Sequence, residues 1–184
     1  MNVTDRQILY DGHYKLSQLL VQDGDEQLKR ERFEPGQAVA ALVFDPQKQR
    51  YLCVRQFRIG AEAEVLEIPA GMLDKAGESP EEAMRREIQE ELGYETDTLE
   101  PIATVYASPG NSAELIHLYY AEVSRQTGPG GGAIDEHEQL DVVALSRQEL
   151  IGERWQDAKS LIAVQWVQLR NRRPKREEPA SPFV

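Results

Sequence analysis

The chain has 184 residues, of which 40% are hydrophobic and 29% are charged, and its formal net charge is −11. This composition is typical of a globular protein with enough apolar residues for a core. The acidic balance argues against a nucleic-acid-binding protein, which usually carries a basic stripe. No segment approaches the roughly 18 apolar residues of a membrane span, and the N-terminus lacks a signal-peptide pattern, so we expect a cytoplasmic protein without a membrane partner.

The first 36 residues are predicted to form a small antiparallel sheet. Residues 7–10, 14–21 and 27–33 read as short strands, and the Asp23-Gly24-Asp25 segment is typical of a hairpin turn. Because so small a sheet is rarely stable alone, we expect residues 1–36 to form an N-terminal β subdomain that packs on the main domain or on a second subunit.

A main domain is predicted over residues 37–170, followed by a mobile tail over residues 171–184, where Arg, Lys, Glu and Pro are mixed. The strands expected in the main domain are residues 38–44, 51–57, 65–68, 102–106, 115–123 and 141–145. The helices expected there are residues 80–92, a helix that starts near residue 146, and residues 158–170. This irregular alternation predicts a mixed α/β (α+β) sandwich.

Three apolar features indicate where the core lies. Cys53, the single cysteine, sits in an apolar run and is predicted to be a buried small hydrophobe and not a nucleophile. The last predicted helix places Ile162, Trp166 and Leu169 on one face, which is expected to pack inward. Trp155 is likewise expected to be a core residue.

The helix predicted over residues 80–92 has clear start and stop signals. Ser79 suits the N-cap, Pro80 the first helical position, and Glu82 completes a capping box. Gly93 is a natural C-terminal stop.

Three acidic residues share one side of this helix. At 100° per residue, Glu87, Glu90 and Glu91 occupy an arc of roughly 100°. Like charges this close raise each other's pKa values, and bound divalent cations would relieve the repulsion. Arg86 lies one turn before Glu90, at the spacing of an ion pair. From spacing alone, a merely acidic solvated helix is an equally good interpretation.

The segment from Gly71 to Tyr94 resembles the Nudix box. That box has a glycine, five residues, a glutamate, seven residues, and then Arg-Glu-aliphatic-x-Glu-Glu-x-Gly-hydrophobic, and the chain matches every defined position from Glu78 onward. Six residues, not five, separate Gly71 from Glu78, an insertion that leaves the helical register unchanged. The resemblance implies a Nudix-type α/β/α sandwich with a mixed sheet and a metal-dependent hydrolase of diphosphates.

The resemblance also implies roles for the residues of the box. Glu87 and Glu91 would bind Mg²⁺, with Mn²⁺ as a possible substitute, together with the backbone carbonyl of Ala70. Glu90 would be a further ligand or catalytic group, and Arg86 would orient the glutamates. The metal would neutralise the diphosphate and lower the pKa of a bound water, from which a carboxylate base takes the proton.

Residues outside the box resemble the Nudix branch that contains ADP-ribose pyrophosphatases and GDP-mannose hydrolases. Arg58 is expected to bind the substrate phosphates, a task that suits a guanidinium, although a simple surface arginine remains an alternative. Pro109, in a Ser-Pro-Gly turn, follows Tyr94 by fifteen residues, a spacing that marks the ADP-ribose group. The other substrate-binding residues implied by the resemblance are Glu67, Ser108, Gly110 and Glu114.

An acidic loop from Ile134 to Asp141 resembles the one that supplies the base and the last metal ligand. Glu136 is expected to be the base and Glu138 the ligand, or these roles are exchanged. The glycine run Gly128–Gly132 precedes this loop and is interpreted as a hinge or slack linker that lets it close over substrate.

Members of this branch are typically homodimers whose N-terminal strands cross to the partner. The resemblance therefore implies a homodimer in which Arg32, or Arg30, reaches the other subunit's site. A surface ion pair is an equally good interpretation of either arginine.

The sequence thus predicts hydrolysis of a nucleoside diphosphate sugar, foremost ADP-ribose to AMP and ribose 5-phosphate. The alternatives are a GDP-mannose or broader nucleoside diphosphate sugar hydrolase and, in another class, a non-catalytic Nudix ligand sensor. An acidic Ca²⁺-binding module is disfavoured because no EF-hand loop is present.

Overall fold

The structure is a computed structural model that describes residues 1–132 and 140–170. The strands in this part of the chain are β1 (Asn2–Asp11), β2 (Lys15–Asp23), β3 (Glu26–Glu34), β4 (Gln37–Asp45), β5 (Arg50–Arg58), β6 (Ala63–Glu67), β7 (Ala70–Met72), β8 (Tyr94–Tyr106), β9 (Leu115–Gln126) and β10 (Asp141–Leu145). The helices are α1 (Pro80–Glu87), a π-helical segment (Ile88–Leu92), α2 (Arg147–Gly152) and α3 (Ala158–Arg170).

The N-terminal strands form a three-stranded antiparallel sheet in the order β1-β2-β3. Gly24 closes the turn between β2 and β3 with a φ of 59°, a left-handed conformation that glycine adopts without strain. The inward-facing residues of β2, Ser17, Leu19 and Val21, are buried, whereas every residue of β1 is exposed. The predicted small antiparallel sheet is therefore confirmed, and each of its strands is longer than the pattern indicated.

The larger sheet is mixed, as predicted. Its order is β10-β5-β4-β9-β8, with β6 beside β5 and β7 beside β4. β4 and β9 run parallel, and the other pairs are antiparallel. β4 lies at the centre because the run of residues 38–43 is entirely apolar and buried on both faces.

Alternate residues of β4 enter two separate cores, since successive side chains of a strand point to opposite faces. The first core lies under α1 and the π-helical segment and includes Val39, Ala41 and Val43. The second lies under α3 and includes Ala40 and Leu42. Helices thus cover both faces of the sheet, which confirms the α/β/α sandwich.

β8 is longer than predicted, because the pattern indicated a strand only over residues 102–106. It begins at Tyr94, directly after the helix, and pairs with β9 out to Gln126. Register shifts interrupt the pairing at three places, and Tyr94 is the strand's one fully buried residue. Bulges break the period-two pattern by which an exposed strand is recognised, so the first half of β8 escaped prediction.

The inward face of α3 differs from the predicted one. Ser160, Ala163, Val164 and Val167 are buried, while Leu169 is 60% exposed. Ile162, Trp166 and, from the preceding loop, Trp155 are partly buried against the same core. Small side chains face the sheet here, whereas the prediction followed the largest apolar ones.

Cys53 is fully buried, as predicted, and burial raises the pKa of its thiol to about 12. It therefore stays protonated at neutral pH and is no nucleophile. Over residues 1–132 and 140–170, no helix is long and apolar enough to cross a membrane.

Candidate active site

The acidic helix begins as its sequence predicts. Ser79 is the N-cap, and its hydroxyl accepts a hydrogen bond from the Glu82 amide at 3.3 Å. The Glu82 carboxylate in turn accepts from the Ser79 amide at 2.8 Å, which completes the capping box. The helix therefore has a defined register over the box residues that follow.

The second half of this helix is π-helical, which the sequence did not indicate. A π-helix bonds residue i to i+5, so each residue turns by less than the 100° assumed for the helical wheel. Glu90 and Glu91 both lie in this segment. Glu91 is only 2% exposed, whereas the Glu90 side chain is half-buried. Glu87 and Glu91 thus turn inward, while Glu90 keeps part of its side chain accessible.

Gly71 makes room for the carboxylate of Glu87. A Cβ at position 71 would overlap the carboxylate atoms of Glu87, which is itself buried. Any larger residue at this close approach between β7 and the helix would displace the Glu87 carboxylate. Gly71 thus lies directly against the side chain of a predicted metal ligand.

Arg86 forms hydrogen bonds with glutamates of the helix and of the preceding loop. Its Nε donates to Glu78 at 3.0 Å, and its Nη1 donates to Glu87 at 2.6 Å and to Glu90 at 2.9 Å. The pKa of Arg86 is raised, chiefly by its hydrogen bonds with Glu78. Arg86 therefore lies where the prediction needs it, bonded to the glutamates that it would orient.

Ala70 and Glu91 are also brought together. Ala70 lies on β7 opposite Ala40, and its amide donates to the Glu91 carboxylate at 3.2 Å. The contact joins the central sheet to the π-helical segment. It also places the backbone that was predicted to supply a ligand next to a predicted ligand side chain.

The donors around this helix suit a hard divalent cation. Glu87, Glu90 and Glu91 offer only carboxylate oxygens, the ligands that Mg²⁺ and Mn²⁺ prefer. Gly71 leaves space for one of these carboxylates. In the described part of the chain, no three acidic, His or Cys side chains converge on one point, and Arg86 holds two of the glutamates. Hence the donor set fits a cation by its chemistry, with Arg86 as the present counter-charge.

The glycine run docks on the end of the helix. The amide of Gly131 donates to the Glu91 carbonyl at 2.8 Å, and that of Gly132 to the Glu90 carbonyl at 3.3 Å. The amide of Gly128 donates to the carbonyl of Gly93, whose φ is 74°. A Cβ at Gly93 or Gly130 would collide with the facing backbone. The interpretation of this run as slack is wrong, because its glycines allow close backbone approach and cap the helix carbonyls.

Arg58, the last residue of β5, forms a bidentate ion pair with Glu67. Its Nε donates at 2.7 Å and its Nη2 at 2.9 Å to the two carboxylate oxygens. Arg58 is part-exposed, whereas Glu67 is buried and has almost no contact with solvent. Burial would raise the pKa of Glu67, but bonds from Arg58 and from Lys159 outweigh it and leave this pKa lowered. Sequence reasoning missed Lys159, since no local pattern at the start of α3 indicates its partner.

The Ser-Pro-Gly turn is tied to the N-terminal sheet. The Ser108 hydroxyl donates to the Asn111 side chain at 2.9 Å, and Phe33 at the end of β3 bonds the same loop through Asn111 and Ala113, each at 2.9 Å. Ser108 and Gly110 are exposed. The loop is thus held in place by β3.

Glu114 and Arg32 lie near this loop and near β3. Glu114 is partly buried at the end of the loop, where its amide donates to the Ser112 hydroxyl at 3.2 Å. Arg32 bonds Glu34 at 3.1 Å, and its buried Nε has no hydrogen-bond partner among residues 1–132 and 140–170. Neither residue is drawn into the ion pairs of the acidic helix. Glu136 and Glu138, the predicted base and ligand, lie outside the described residues.

Comparison with known proteins identifies the family. The model of the NUDIX domain matches residues 34–168. An ADP-ribose pyrophosphatase of Escherichia coli (strain K12) is 32% identical over 195 residues, covering 96% of this chain and 92% of the relative. A GDP-mannose pyrophosphatase of Cronobacter sakazakii is 33% identical over 154 residues, covering 77% and 78%. A Bacillus methanolicus protein named methanol dehydrogenase activator is 37% identical over 146 residues, covering 77% of each chain.

A solved structure described as an ADP compounds hydrolase has the same fold. It superposes with a TM-score of 0.74 at 19% sequence identity and covers 92% of each chain. The chain therefore belongs to the Nudix family and is a Nudix hydrolase. Hydrolases of this family generally depend on a divalent metal ion.

Proposed function

We propose that this Nudix hydrolase cleaves the pyrophosphate bond of a nucleoside diphosphate sugar, foremost ADP-ribose to AMP and ribose 5-phosphate. The observation that carries the substrate choice is the extent of the similarity. The ADP-ribose pyrophosphatase relative matches 96% of the chain, including the N-terminal sheet, whereas the GDP-mannose pyrophosphatase relative matches 77%.

The metal of this proposal is Mg²⁺, with Mn²⁺ as a substitute. Glu87 and Glu91 would hold it together with the carbonyl of Ala70, whose amide already contacts Glu91. A bound divalent ion supplies neutralisation of the diphosphate charge and a lowered pKa for a bound water. Glu138 is proposed as the remaining ligand and Glu136 as the base, or the reverse.

Arg86 and the Nudix glutamates prepare the site before substrate arrives. Arg86 bonds Glu87 and Glu90 at the same time, which relieves their mutual repulsion and fixes both side chains. Fixed carboxylates avoid reorganisation when charge develops on the diphosphate. Glu90 would then act as a further ligand or as a proton acceptor.

Substrate contacts are proposed for the end of β5 and for the loop that follows β8. Arg58, part-exposed and held by Glu67, would contact the phosphates, with Glu67 acting through it. Ser108, Gly110 and Glu114 would meet the sugar from the loop that β3 anchors.

A homodimer is part of the proposal. Every residue of β1 is exposed, and its large apolar residues Val3, Ile8, Leu9 and Tyr10 are more than two-fifths accessible. A second copy would cover this surface, and Arg32, whose side chain is partly exposed, would contact the partner's site. Residues 1–36 would thus be the dimer-forming unit beside the hydrolase domain over 37–170. A cytoplasmic location without nucleic-acid or membrane partners completes the proposal, supported by the net charge of −11.

The test is a phosphate-release assay over a panel of nucleoside diphosphate sugars, coupled to a phosphatase that acts on the monoester products. We expect ADP-ribose to give the highest kcat/KM, with activity lost in EDTA and restored by Mg²⁺ or Mn²⁺. Preference for GDP-mannose would overturn only the substrate choice. Binding of ADP-ribose without turnover of any diphosphate would instead support a ligand sensor.

A further inference from the structure

Lys159 makes a largely buried contact with Glu67, the residue that is paired with Arg58. It lies in the first turn of α3, and its side chain is 12% exposed. Its ammonium contacts the carboxylate of Glu67, 92 positions away in sequence, and the Asp157 carboxylate at 3.0 Å. A charge withdrawn from water in this way needs close partners, so the contact differs from an incidental surface pair.

Glu67 therefore bridges two cations from different elements. One of its oxygens faces the Nε of Arg58 at 2.7 Å, and the other receives both the Nη2 of Arg58 and the ammonium of Lys159. A guanidinium bonded to one carboxylate forms a neutral pair with little attraction for an anion. Two cations, Arg58 and Lys159, therefore share the single charge of Glu67, while Asp157 balances the remaining positive charge.

The start of α3 is fixed against the sheet, so Lys159 cannot easily move away. The Asp157 carboxylate accepts from the Ser160 amide at 3.0 Å and from its hydroxyl at 2.5 Å. The Ser160 hydroxyl accepts from the amide of Ile68, next to Glu67, at 2.9 Å. Ile68 and Ser160 are fully buried, and this chain of bonds locks the helix end to the strand that carries Glu67.

Arg58 also lies within electrostatic reach of the Nudix helix. The negative charge of Glu91 is among the causes that raise the pKa of Arg58, after its hydrogen bonds with Glu67. The Arg58 guanidinium is also part-exposed, whereas Glu67 is buried.

We propose that Lys159 is a positioning residue for substrate binding: it shares the charge of Glu67 and thereby keeps the Arg58 guanidinium available to the diphosphate. The inference rests on the proposed function only for the identity of the substrate. Lys159 itself touches no reacting atom and acts through Glu67.

Substitution at Lys159 separates binding from chemistry. We expect Lys159→Met to raise KM for the preferred substrate about tenfold while kcat stays within about twofold, because binding shared by the ground and transition states is lost. Lys159→Arg keeps the charge and should restore most of the affinity. Arg125→Gln, which breaks an exposed pair with Glu95 at 3.3 Å, is the matched control and should leave KM unchanged.

A double-mutant cycle tests the route through Arg58. If Lys159 acts through the guanidinium, Lys159→Met should add nothing to the effect of Arg58→Gln. Circular dichroism melting of each variant shows that it is folded. Additive effects of the two substitutions would overturn the proposal, as would a Lys159→Met variant whose KM equals that of the wild type.

Titration with inorganic pyrophosphate in EDTA makes the test independent of turnover. We expect Lys159→Met to weaken pyrophosphate binding by the same factor as it raises KM. If the wild-type chain hydrolyses no diphosphate but binds pyrophosphate more tightly than Lys159→Met does, the proposed function fails and this inference stands. Equal binding by both proteins, or no measurable binding by the wild type, overturns the inference.

Discussion

At the scale of single residues, the site depends on close approaches between the backbone and the carboxylates. Gly71 faces the Glu87 carboxylate so tightly that a methyl group would displace it. Glu91 is buried and receives a hydrogen bond from the Ala70 amide. A buried carboxylate needs such partners to remain charged, and these contacts set where its oxygens lie.

Gly71→Ala should therefore impair the site with little effect on the fold. The new methyl group displaces the Glu87 carboxylate, and we expect kcat/KM to fall by about tenfold or more, as when an orienting contact of a metal ligand is removed. The Mg²⁺ concentration for half-maximal activity should rise as well. Gly60→Ala, where a Cβ meets no atom within 4 Å, is the control. Equal activity of the two variants would show that Glu87 is not held by this glycine.

Glu91→Gln should remove most of the activity and leave the chain folded. The amide oxygen of Gln can still accept from the Ala70 amide, but it provides a weaker ligand for a divalent cation, so we expect a loss of about a hundredfold in kcat. The same change at exposed Glu95 is the control. Activity of Glu91→Gln near that of the wild type would contradict the assignment of Glu91 as a ligand.

At the scale of elements, the helix of the Nudix box has two halves that are stabilised by different interactions. The first half follows local rules: an N-cap, a proline and a capping box. The second half is π-helical and ends against the glycine run, whose amides bond the carbonyls of Glu90 and Glu91. π-helical turns often occur at functional sites, and here the turn carries Glu90 and Glu91, both of which are assigned to the proposed metal site.

Gly130→Ala should damage the site more than Gly131→Ala does. Both residues have positive φ, but a Cβ at Gly130 would lie 2.6 Å from the Glu91 carbonyl oxygen, whereas one at Gly131 meets open space. Backbone strain is common to both variants, so the difference isolates the docking contact. We expect Gly130→Ala to lose about 1 kcal/mol more in urea unfolding and to have the lower kcat/KM. Indistinguishable variants would mean that the docked run does not support the helix.

At the scale of the whole molecule, the acidic chain stabilises its carboxylates with specific partners. Glu34, Glu67, Glu78, Glu82 and Glu149 all have lowered pKa values. A carboxylate whose pKa is lower in the folded than in the unfolded state stabilises the fold above the unfolded pKa, and this contribution is lost as the pH falls. Glu67 is the buried member of the group and links β5, β6 and α3.

We therefore expect the Glu67→Gln variant to differ from the wild type in stability by an amount that depends on pH. At pH 7 we expect the variant to be roughly 3 kcal/mol less stable in urea unfolding, because Arg58 and Lys159 lose a buried counter-charge. Since the folded pKa of Glu67 lies below its usual 4.5, the difference from the wild type should shrink as the pH falls below that value. A difference that is constant from pH 7 to pH 3 would show that the Glu67 charge does not stabilise the fold.

Features that depend on neighbours along the chain could be predicted from the residues alone. The capping box at Ser79, the stop at Gly93 and the buried run of β4 were all predicted because local hydrogen bonding and side-chain periodicity decide them. The match to the Nudix box then supplied the register of its glutamates. The order of the acids along the helix therefore needed no tertiary information.

Tertiary structure decided the features that depend on contacts between distant segments. The pairing of Lys159 with Glu67 joins residues 92 positions apart. The prediction that Leu169 packs inward was wrong because small side chains of α3 face the sheet instead. The π-helical turn forms where the glycine run bonds the end of the helix. Local periodicity contains no information about such packing partners, because they meet only once the chain has closed its long loops. The helix from Pro80 to Leu92 was thus predicted as an element, but which of its carboxylates turn inward was decided by the fold.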